Sequence, residues 1–428
     1  MILVETLRPI VEQWRAESRN VVQELARVEL GTVTVAHLYK GLRELPLIVC
    51  DTSVVDPQEG VFIRGHALRE LVGRLPEEVF WLLVTGEFPT AEQLKQLQRE
   101  MWRQRHVPDY VLKLIHSVPP DTHPMALLSM AILSLQKDSH FLKAFYSGVP
   151  RDQLWEYMVQ DAVRLMALTP TIAAGIYHHH LKGGEILEPR KDLDWAANFA
   201  YMLGLEGSGE VFYEFIRRYV IVHSDHEGGN VTVNASRVVH SAFADLYYSY
   251  SAGINGLAGP IHGMANQSAV ELAQQLLERF GGLPAEADLS AFVEDYLAQG
   301  KILPGFGHAV LRSHDPRFLI LYEYGKEIGI QDDLFLVIER LANVVPPILK
   351  RIGKIKDPYP NIDLISGVML HHFGMREFEF YPVMFALSIL LGLSAQLINY
   401  RALNMPIIRP RSVTTEWLKR KAKNTPKP

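Results

Sequence analysis

Apolar residues three and four positions apart recur along most of the chain, and this helical period constrains the fold more than any other feature. The clearest case is 268–280, where the apolar side chains fall on one helix face and Gly281 ends the pattern. Ser268 and Glu271 have the spacing of a capping box, which predicts a helix start at Ser268. A similar pattern follows Thr90. The sequence therefore predicts an all-α fold.

Strand signals are confined to one place. Residues 53–65, SVVDPQEGVFIRG, hold two short β-branched or aromatic runs around a turn, which predicts a small hairpin near the N-terminus. No regular alternation of strands and helices follows. At 428 residues the chain exceeds the usual size of one hydrophobic core, so we expect two domains, or one large domain with an insertion.

Membrane insertion is not expected. The longest apolar run, 384–398, is shorter than the roughly 18 to 20 residues that a membrane span needs, and polar residues interrupt it. It is typical of a buried core helix. The first twenty residues lack a basic-then-apolar signal pattern.

The charge and the cysteine content exclude two further classes of protein, namely nucleic-acid-binding proteins and proteins stabilised by intrachain disulfides. The formal charge is −5, with both signs mixed along the chain, so we expect no nucleic-acid partner. A single cysteine, Cys50, excludes an intrachain disulfide and suits a reducing compartment. We expect a cytoplasmic protein, and a mature organellar protein is not excluded. The basic tail 418–428 is expected to be disordered or loosely docked.

Residues 223–230, HSDHEGGN, place two histidines, two carboxylates and an asparagine before a glycine turn. Hydrogen bonding of an anion or a carbonyl by imidazole is the favoured interpretation. A metal site at His223 and His226 and simple capping of helix ends are the alternatives. We expect no metal, because no further ligand motif accompanies the two histidines.

Three other residues suggest a reaction class. His262 in GPIHGMANQ and His308 in LPGFGHAVLR are each framed by glycines, and Asp363 lies in an apolar run that would raise its pKa. Asp363 could instead be a helix N-cap. Together a base and two donors suit proton abstraction beside a carbonyl, followed by attack of the enol on a second carbonyl.

Ordered motifs along nearly the whole chain resemble those of the citrate synthase family, in the branch typified by the mitochondrial enzyme. They are DTSVVDPQEG, FWLLVTGEFPT, HPMALLSMAI, HSDHEGGNV, NGLAGPIHGMANQ, PGFGHAVLRSHDPR, NIDLISGV and RALNMPIIRPRS. The resemblance implies an almost entirely α-helical homodimer. Its large domain would comprise 1–263 and 375–428 with the C-terminal tail, and its smaller domain 264–374.

The resemblance also implies roles for single residues, with acetyl-CoA as a substrate and no cofactor. Asp363 would remove a methyl proton from acetyl-CoA. His262 would donate to the thioester oxygen and His308 to the ketone oxygen of oxaloacetate. Residues implied to contact the keto acid are His226, Asn230, Arg317, Phe385 and, across the dimer interface, Arg409. Arg312 and Lys356 fall at positions implied to contact CoA.

One position departs from the family pattern. The family typically has S-R-A-L-G where this chain has 388–392, and Ile389 replaces an arginine that pairs with a carboxylate of oxaloacetate. Three hypotheses follow. The chain is a citrate synthase in which another group replaces the arginine; or it condenses an acyl-CoA with a different 2-oxo acid; or it is a weakly active structural paralogue. A change of acyl-CoA alone, as in a 2-methylcitrate synthase, would not explain Ile389.

Overall fold

The computed structural model describes residues 1–184, 186–205, 209–353 and 355–423, and most of them are helical. The predicted all-α class is confirmed. Residues 424–428 of the basic tail lie outside the described residues. The α-helices are α1 (Ile2–Leu25), α2 (Val35–Tyr39), α3 (Pro76–Thr85), α4 (Ala91–Gln104), α5 (Asp109–Ser117), α6 (Pro124–Ser134), α7 (His140–Tyr146), α8 (Leu154–Ile176), α9 (Trp195–Met202), α10 (Glu210–Val222), α11 (Val231–Ser241), α12 (Leu246–Leu257), α13 (Ala265–Phe280), α14 (Glu286–Ala298), α15 (Pro316–Glu327), α16 (Asp333–Ile352), α17 (Ile362–His372), α18 (Tyr381–Ala402) and α19 (Thr415–Lys423).

The predicted hairpin is confirmed. Strands β1 (Ser53–Asp56) and β2 (Gly60–Ile63) pair antiparallel, and the short β3 (His66–Ala67) adds to β2. The Asp56 carboxylate accepts two backbone amides of the turn, at 2.8 Å each. Gly60 has a φ of +103°, which favours glycine, and a Cβ there would lie 3.0 Å from the Pro316 ring. The hairpin turn therefore lies against the start of α15.

Of the two helix starts predicted from capping-box spacing, that of α4 is confirmed and that of α13 is wrong. Thr90 and Gln93 form the predicted capping box of α4. The predicted start of α13 at Ser268 is wrong, because α13 begins at Ala265. The Ser268 hydroxyl lies inside the helix and donates to the Met264 carbonyl at 3.2 Å. The tight turn before the helix supplies the start, so no side-chain cap is needed there.

The centre of the protein is formed by α8 and α18, whose side chains are almost all buried. α18 contains the apolar run 384–398, so the predicted buried core helix is confirmed. With the short 3₁₀ turn before it, the helix spans Phe378–Ala402 and is long and apolar enough to cross a membrane, which corrects the length estimate from the run alone. Its most apolar window is 89% buried inside the protein.

The helices α13 to α17 pack mainly on one another. α13 lies against α16 and α17, and α14 lies against α16. α15 joins this group to the rest of the protein through α10. The group falls within 264–374, and the proposed domain division stays a prediction.

Candidate active site

Three chain segments converge on one place, namely the loop after α10, the loop before α15 and the start of α17. The imidazole rings of His226 and His308 lie 5.2 Å apart between centroids. The Arg317 guanidinium is close enough to lower the pKa of both histidines and of Asp363. The structure thus brings four of the predicted residues together.

The loop before α15 is attached to the start of α17 by backbone pairing. The Asn361 amide donates to the Gly305 carbonyl at 2.9 Å, and its side-chain amide donates to the Gly307 carbonyl at 2.8 Å. Gly305 has a φ of +80°, and a Cβ there would lie 2.7 Å from the Cβ of Leu364. The glycine is required because the loop contacts α17 at this point.

His308 has a defined tautomer. Its Nδ1 accepts backbone amides from Val310, at 3.0 Å, and Leu311, at 2.9 Å. Burial, with Arg317 nearby, lowers the pKa of His308 to about 4, so the ring is neutral at physiological pH. A neutral ring whose Nδ1 accepts must carry its proton on Nε2. His308 therefore presents an Nε2–H donor.

Arg317 is held in place by a buried carboxylate. Its Nε and Nη2 donate to the two oxygens of Asp315, at 3.0 and 2.8 Å. Asp315 also accepts the Ile362 amide at 3.1 Å, which ties this ion pair to the start of α17. In the described part of the chain, no hydrogen bond joins Nη1 of Arg317 to a protein atom. Nη1 is available to bind an anionic ligand.

Asp363 does not cap its helix, so the capping alternative is wrong. Asn361 is the N-cap of α17, and its side chain accepts the Asp363 amide at 3.0 Å. Burial raises the pKa of the Asp363 carboxyl to about 6. Arg317 lowers this pKa and Asp315 raises it, so the two charges partly cancel. A carboxyl with a pKa near 6 is suited to general base catalysis.

The segment 223–230 combines polar groups that bind other parts of the protein with one ring nitrogen that does not. His223 donates from Nδ1 to the Tyr219 carbonyl at 2.8 Å, which caps the end of α10, and burial lowers its pKa to about 3. Asp225 accepts the Thr52 hydroxyl at 2.5 Å. His226 differs because its buried Nε2 has no hydrogen-bond partner among the residues that the structure describes, and burial holds its pKa well below the usual value. Capping therefore describes His223, while His226 is a neutral ring with a free ring nitrogen.

Asn230 is the N-cap of α11. Its side-chain oxygen accepts the Val233 amide at 3.0 Å. Its amide group donates to the carbonyls of His226 and Glu227, at 3.2 Å each. These bonds fix the backbone at His226, and the predicted contact of Asn230 with a keto acid stays a prediction.

His262 lies beside this group rather than within it. Its Nε2 lies 2.9 Å from the Thr232 hydroxyl on α11, and burial lowers its pKa. Gly263 is required next to it, because a Cβ there would lie 2.1 Å from the Leu257 carbonyl. Across the residues that the structure describes, His262 has no hydrogen bond or ring contact with His308 or Asp363.

The segment that carries His262 nevertheless contacts two elements that border the site, α17 and α11. It precedes α13, whose first turn packs closely on α17, since a Cβ on Gly367 would lie 2.7 Å from the Asn266 carbonyl. Gly367 is one turn after Asp363. On the other side, Thr232 is in the first turn of α11, which begins after Asn230.

One face of α18 lies against the 223–227 segment. The Phe385 ring is 5.0 Å from the His223 ring, the Gly392 amide donates to the Ser224 carbonyl at 2.9 Å, and Gln396 donates to Asp225 at 2.7 Å. At 100° a residue, positions 385, 389, 392 and 396 fall within an arc of about 60°. Ile389, 2% exposed, lies at the edge of this arc and between Phe385 and Gly392 along the helix.

The other predicted ligand residues lie further out. The Arg312 side chain donates to the His308 carbonyl at 3.3 Å, so it borders the site. Lys356 is 74% exposed, and its Nζ lies 3.6 Å from Glu44. Arg409 is exposed on the segment between α18 and α19. No metal site accompanies these groups, since the described residues hold no group of three or more His, Cys, Asp or Glu that could bind an ion.

Sequence reasoning missed two residues that hold the site together. Asp315 binds Arg317 and the start of α17, and Asn361 binds the loop before α15. Both precede a helix and read as possible N-caps, which is the local signal that could have found them. Their second contacts are with residues distant in sequence, and no local pattern encodes those.

Comparison with known proteins adds a family match. The model of the citrate synthase C-terminal domain matches residues 41–411. Citrate synthase 4, mitochondrial, of Arabidopsis thaliana is 37% identical over 426 residues, covering 97% of this chain and 90% of that protein. The probable mitochondrial citrate synthase of Glossina morsitans morsitans is 40% identical over 413 residues, covering 94% and 88%.

Solved structures share the fold. The crystal structure of citrate synthase from Pyrobaculum aerophilum is similar with a TM-score of 0.78 and 29% identity, covering 88% of this chain and 92% of that one. The ternary complex of the Thermoplasma acidophilum enzyme with carboxymethyl coenzyme A and oxaloacetate has a TM-score of 0.76 at 22% identity, covering 90% and 97%.

Proposed function

The chain belongs to the citrate synthase family and is an acyltransferase of that type, and we propose that it condenses acetyl-CoA with a 2-oxo acid, in the first instance oxaloacetate. The observation that carries this proposal is the arrangement of a carboxyl with a pKa of about 6 beside a neutral imidazole that presents an Nε2–H donor. Both groups are near a guanidinium that keeps one nitrogen free.

In the proposed first step, Asp363 takes a proton from the methyl carbon of acetyl-CoA. The electron pair of the broken C–H bond forms the C=C bond of the enolate, and the π pair of the thioester carbonyl moves to its oxygen, where His262 donates a hydrogen bond. His262 has a lowered pKa, which suits a neutral donor. We infer that closure around the bound substrate brings His262 and Asp363 to the same thioester group.

In the second step, the enol carbon attacks the ketone carbon and a C–C bond forms. His308 donates its Nε2 proton to the ketone oxygen as negative charge develops there. Water then hydrolyses the thioester of the condensed product and releases the CoA thiol. Arg317 and His226 bind the keto acid, with Arg312 and Lys356 as CoA contacts. The reaction uses acetyl-CoA as a substrate and side chains as its catalysts, so it requires no cofactor.

A second candidate is favoured by Ile389. This apolar side chain is buried and borders the α18 face that meets the 223–227 segment. A keto acid with an apolar group in place of the second carboxylate would fit an apolar wall better than oxaloacetate does, because an unpaired carboxylate costs about 2 to 5 kcal/mol there. We include this altered keto-acid specificity as the alternative.

We propose a homodimer on separate grounds. The segment 21–49 exposes a series of large apolar side chains, including Leu30 at 71%, Tyr39 at 69% and Val49 at 74%. Monomeric proteins rarely expose so much contiguous apolar surface, and a second copy of the chain would cover it. Arg409 is exposed and free to reach a neighbouring subunit. Analytical ultracentrifugation at micromolar concentration tests this, and a monomer would contradict it.

The compartment is also part of the proposal. A single cysteine suits any reducing compartment, and the named curated relatives are mitochondrial. The cytoplasm and the mitochondrial matrix are therefore the two settings, and cell fractionation with an antibody to the native protein decides between them.

The test of the main proposal is release of free thiol from acetyl-CoA. The purified protein is mixed with acetyl-CoA and, in turn, oxaloacetate, pyruvate, 2-oxobutyrate and branched 2-oxo acids. Turnover with oxaloacetate supports citrate synthase activity, and turnover only with the apolar keto acids supports the alternative. Asp363→Asn is the control for background hydrolysis. Without release from any pair, and without a ligand-dependent shift in unfolding temperature, the condensing function would be rejected in favour of a structural paralogue.

A further inference from the structure

Tyr219 is a buried tyrosine to which the proposed mechanism assigns no role. It lies on α10, one turn before His223, and its side chain is 0% exposed. Within residues 1–184, 186–205, 209–353 and 355–423, its buried hydroxyl has no hydrogen-bond partner. Buried hydroxyls are almost always hydrogen-bonded, because an unpaired one is unfavourable. The unpaired hydroxyl therefore indicates that an acceptor meets it in another state of the protein.

The packing of α10 places Tyr219 alongside α17. Phe215, one turn before Tyr219, stacks on Phe373 at the C-terminal end of α17, with 5.0 Å between the ring centroids. The loop after α10 meets the start of α17 in the proposed active site. The end of α10 thus lies near the start of α17, and Tyr219 is one turn from that end. This position brings its side chain toward Asp363, in the first turn of α17.

The electrostatic surroundings of the Tyr219 hydroxyl agree with this position. Burial raises the pKa of Tyr219, and the nearby Asp363 carboxyl and Tyr381 hydroxyl raise it further. The Tyr381 hydroxyl donates to the Met375 carbonyl at 3.0 Å. The Asp363 carboxyl oxygens accept no hydrogen bond from any group in the described ranges. An unpaired donor and an unpaired carboxyl therefore lie near each other.

The Tyr219 ring is held on two sides. The His223 ring stacks on it with 4.3 Å between centroids and 31° between planes, and the Phe215 ring meets it edge-on at 5.8 Å. His223 also donates to the Tyr219 carbonyl, which fixes the backbone at this turn. The tyrosine is therefore a fixed donor, and we expect the carboxyl on α17 to be the partner that moves.

A donor at this place would solve a difficulty of the proposed reaction. Asp363 must be ionised to act as a base, yet burial already raises its pKa to about 6. Closure around the substrates would remove further water from the carboxylate and raise its pKa again. A hydrogen bond to one carboxylate oxygen stabilises the ionised form and opposes this rise. The other oxygen remains available for the substrate proton.

We propose that Tyr219 is a positioning residue for Asp363, and that in the closed, substrate-bound protein its hydroxyl donates a hydrogen bond to one oxygen of the Asp363 carboxylate. The proposal rests on the proposed condensing function, because it takes Asp363 as the base. Tyr219 keeps its own proton throughout the reaction. Arg317 and Asp315 are the charged groups that also act on Asp363, and their effects oppose each other.

The first test is the pH profile of kcat at saturating acetyl-CoA and keto acid. In Tyr219→Phe the acid limb should move to higher pH by about one to two units, so kcat on that limb falls about 10- to 100-fold. At pH 9, where Asp363 is ionised in either protein, kcat should change less than about threefold. A purely structural defect would instead lower kcat by the same factor at every pH. That result, or a profile that coincides with the unchanged protein, would overturn the proposal.

The matched control is Tyr247→Phe. Tyr247 is also 0% exposed, and its hydroxyl is likewise buried without a partner in the part of the molecule that the structure describes. Its charged neighbours are Asp161, Arg164, Asp245 and Asp138, none of which belongs to the proposed active site. We expect Tyr247→Phe to leave the acid limb of kcat where it is. An equal shift in both variants would also overturn the proposal.

A second test requires no turnover and separates this contact from the condensing function. Unfolding temperatures of the unchanged protein, Tyr219→Phe, Asp363→Ala and the double variant are measured at pH 8 with saturating CoA and oxaloacetate. Tyr219→Phe should lower the unfolding temperature by roughly 2 to 3 °C more when Asp363 is present than when it is absent. Equal losses reject the contact, whether or not thiol is released. Unequal losses without thiol release keep the contact and reject the condensing function.

Discussion

Ile389→Arg tests whether α18 forms a wall of the keto-acid site. Ile389 is 2% exposed and lies on the helix face that carries Phe385 and Gly392, both of which meet the segment before His226. If this face of α18 borders the proposed keto-acid site, an arginine here would reach the keto acid. It would then pair with a second substrate carboxylate.

The expected magnitude follows from the burial of the site. A paired carboxylate in a desolvated pocket is worth about 2 to 5 kcal/mol, which corresponds to roughly 30-fold to several-thousand-fold in affinity. Without substrate the same guanidinium would be buried without a dedicated partner, because the nearby Asp225 already accepts from Thr52 and Gln396. We therefore expect a lower unfolding temperature in the free protein, and oxaloacetate should restore it.

The assay is steady-state thiol release with oxaloacetate and with 2-oxobutyrate. The ratio of kcat/KM for the two keto acids should move toward oxaloacetate by at least about 30-fold in Ile389→Arg. Ile389→Met is the matched control, since it keeps an apolar side chain of similar volume and should change the ratio less than about threefold. A folded Ile389→Arg protein with an unchanged ratio would refute the placement of this residue at the substrate.

Three other predictions concern single groups. Because the pKa of Asp363 is raised to about 6 and the base must be ionised, kcat/KM should fall about tenfold per pH unit below pH 6. A pH profile that is flat from 5 to 7 would contradict this. Asp363→Asn should lower kcat by about 100- to 10,000-fold. Burial raises the pKa of Glu77 from 4.5 to about 7, so the folded state disfavours its ionised form. The contribution of Glu77 to stability is therefore largest below pH 4.5 and is lost as the pH rises through 7. Glu77→Gln should remove about 3 kcal/mol of this pH dependence in denaturant unfolding, and equal slopes for both proteins would count against it. A Cβ on Gly392 would lie 2.4 Å from the Ser224 carbonyl oxygen. Gly392→Ala should therefore lower the free energy of unfolding by about 1 to 3 kcal/mol and raise the KM of the keto acid. Calorimetry that finds no change in unfolding temperature would disprove the close contact.

Local patterns predicted the elements whose causes are local. The 3.6-residue period gave the all-α class, Thr90 and Gln93 gave the start of α4, and the turn at 57–60 gave the hairpin. Each depends on residues within a few positions of one another, so the sequence alone was sufficient.

Local patterns were wrong at two helix starts. Ser268 and Glu271 fit a capping box, yet α13 starts three residues earlier, at Ala265, directly after the turn in which Gly263 lies against the Leu257 carbonyl. Asp363 also fits an N-cap, but Asn361 takes that role while binding the loop before α15.

The sequence by itself determined the helical architecture and the identities of the chemical groups, since these depend on side-chain type and short-range spacing. Only the tertiary structure decided which groups are neutral and which are held in place. The pKa of Asp363, the donor nitrogen of His308 and the orientation of Arg317 each depend on burial and on partners such as Asp315, which come from other segments of the chain. Desolvation and hydrogen-bond geometry arise only when those segments meet.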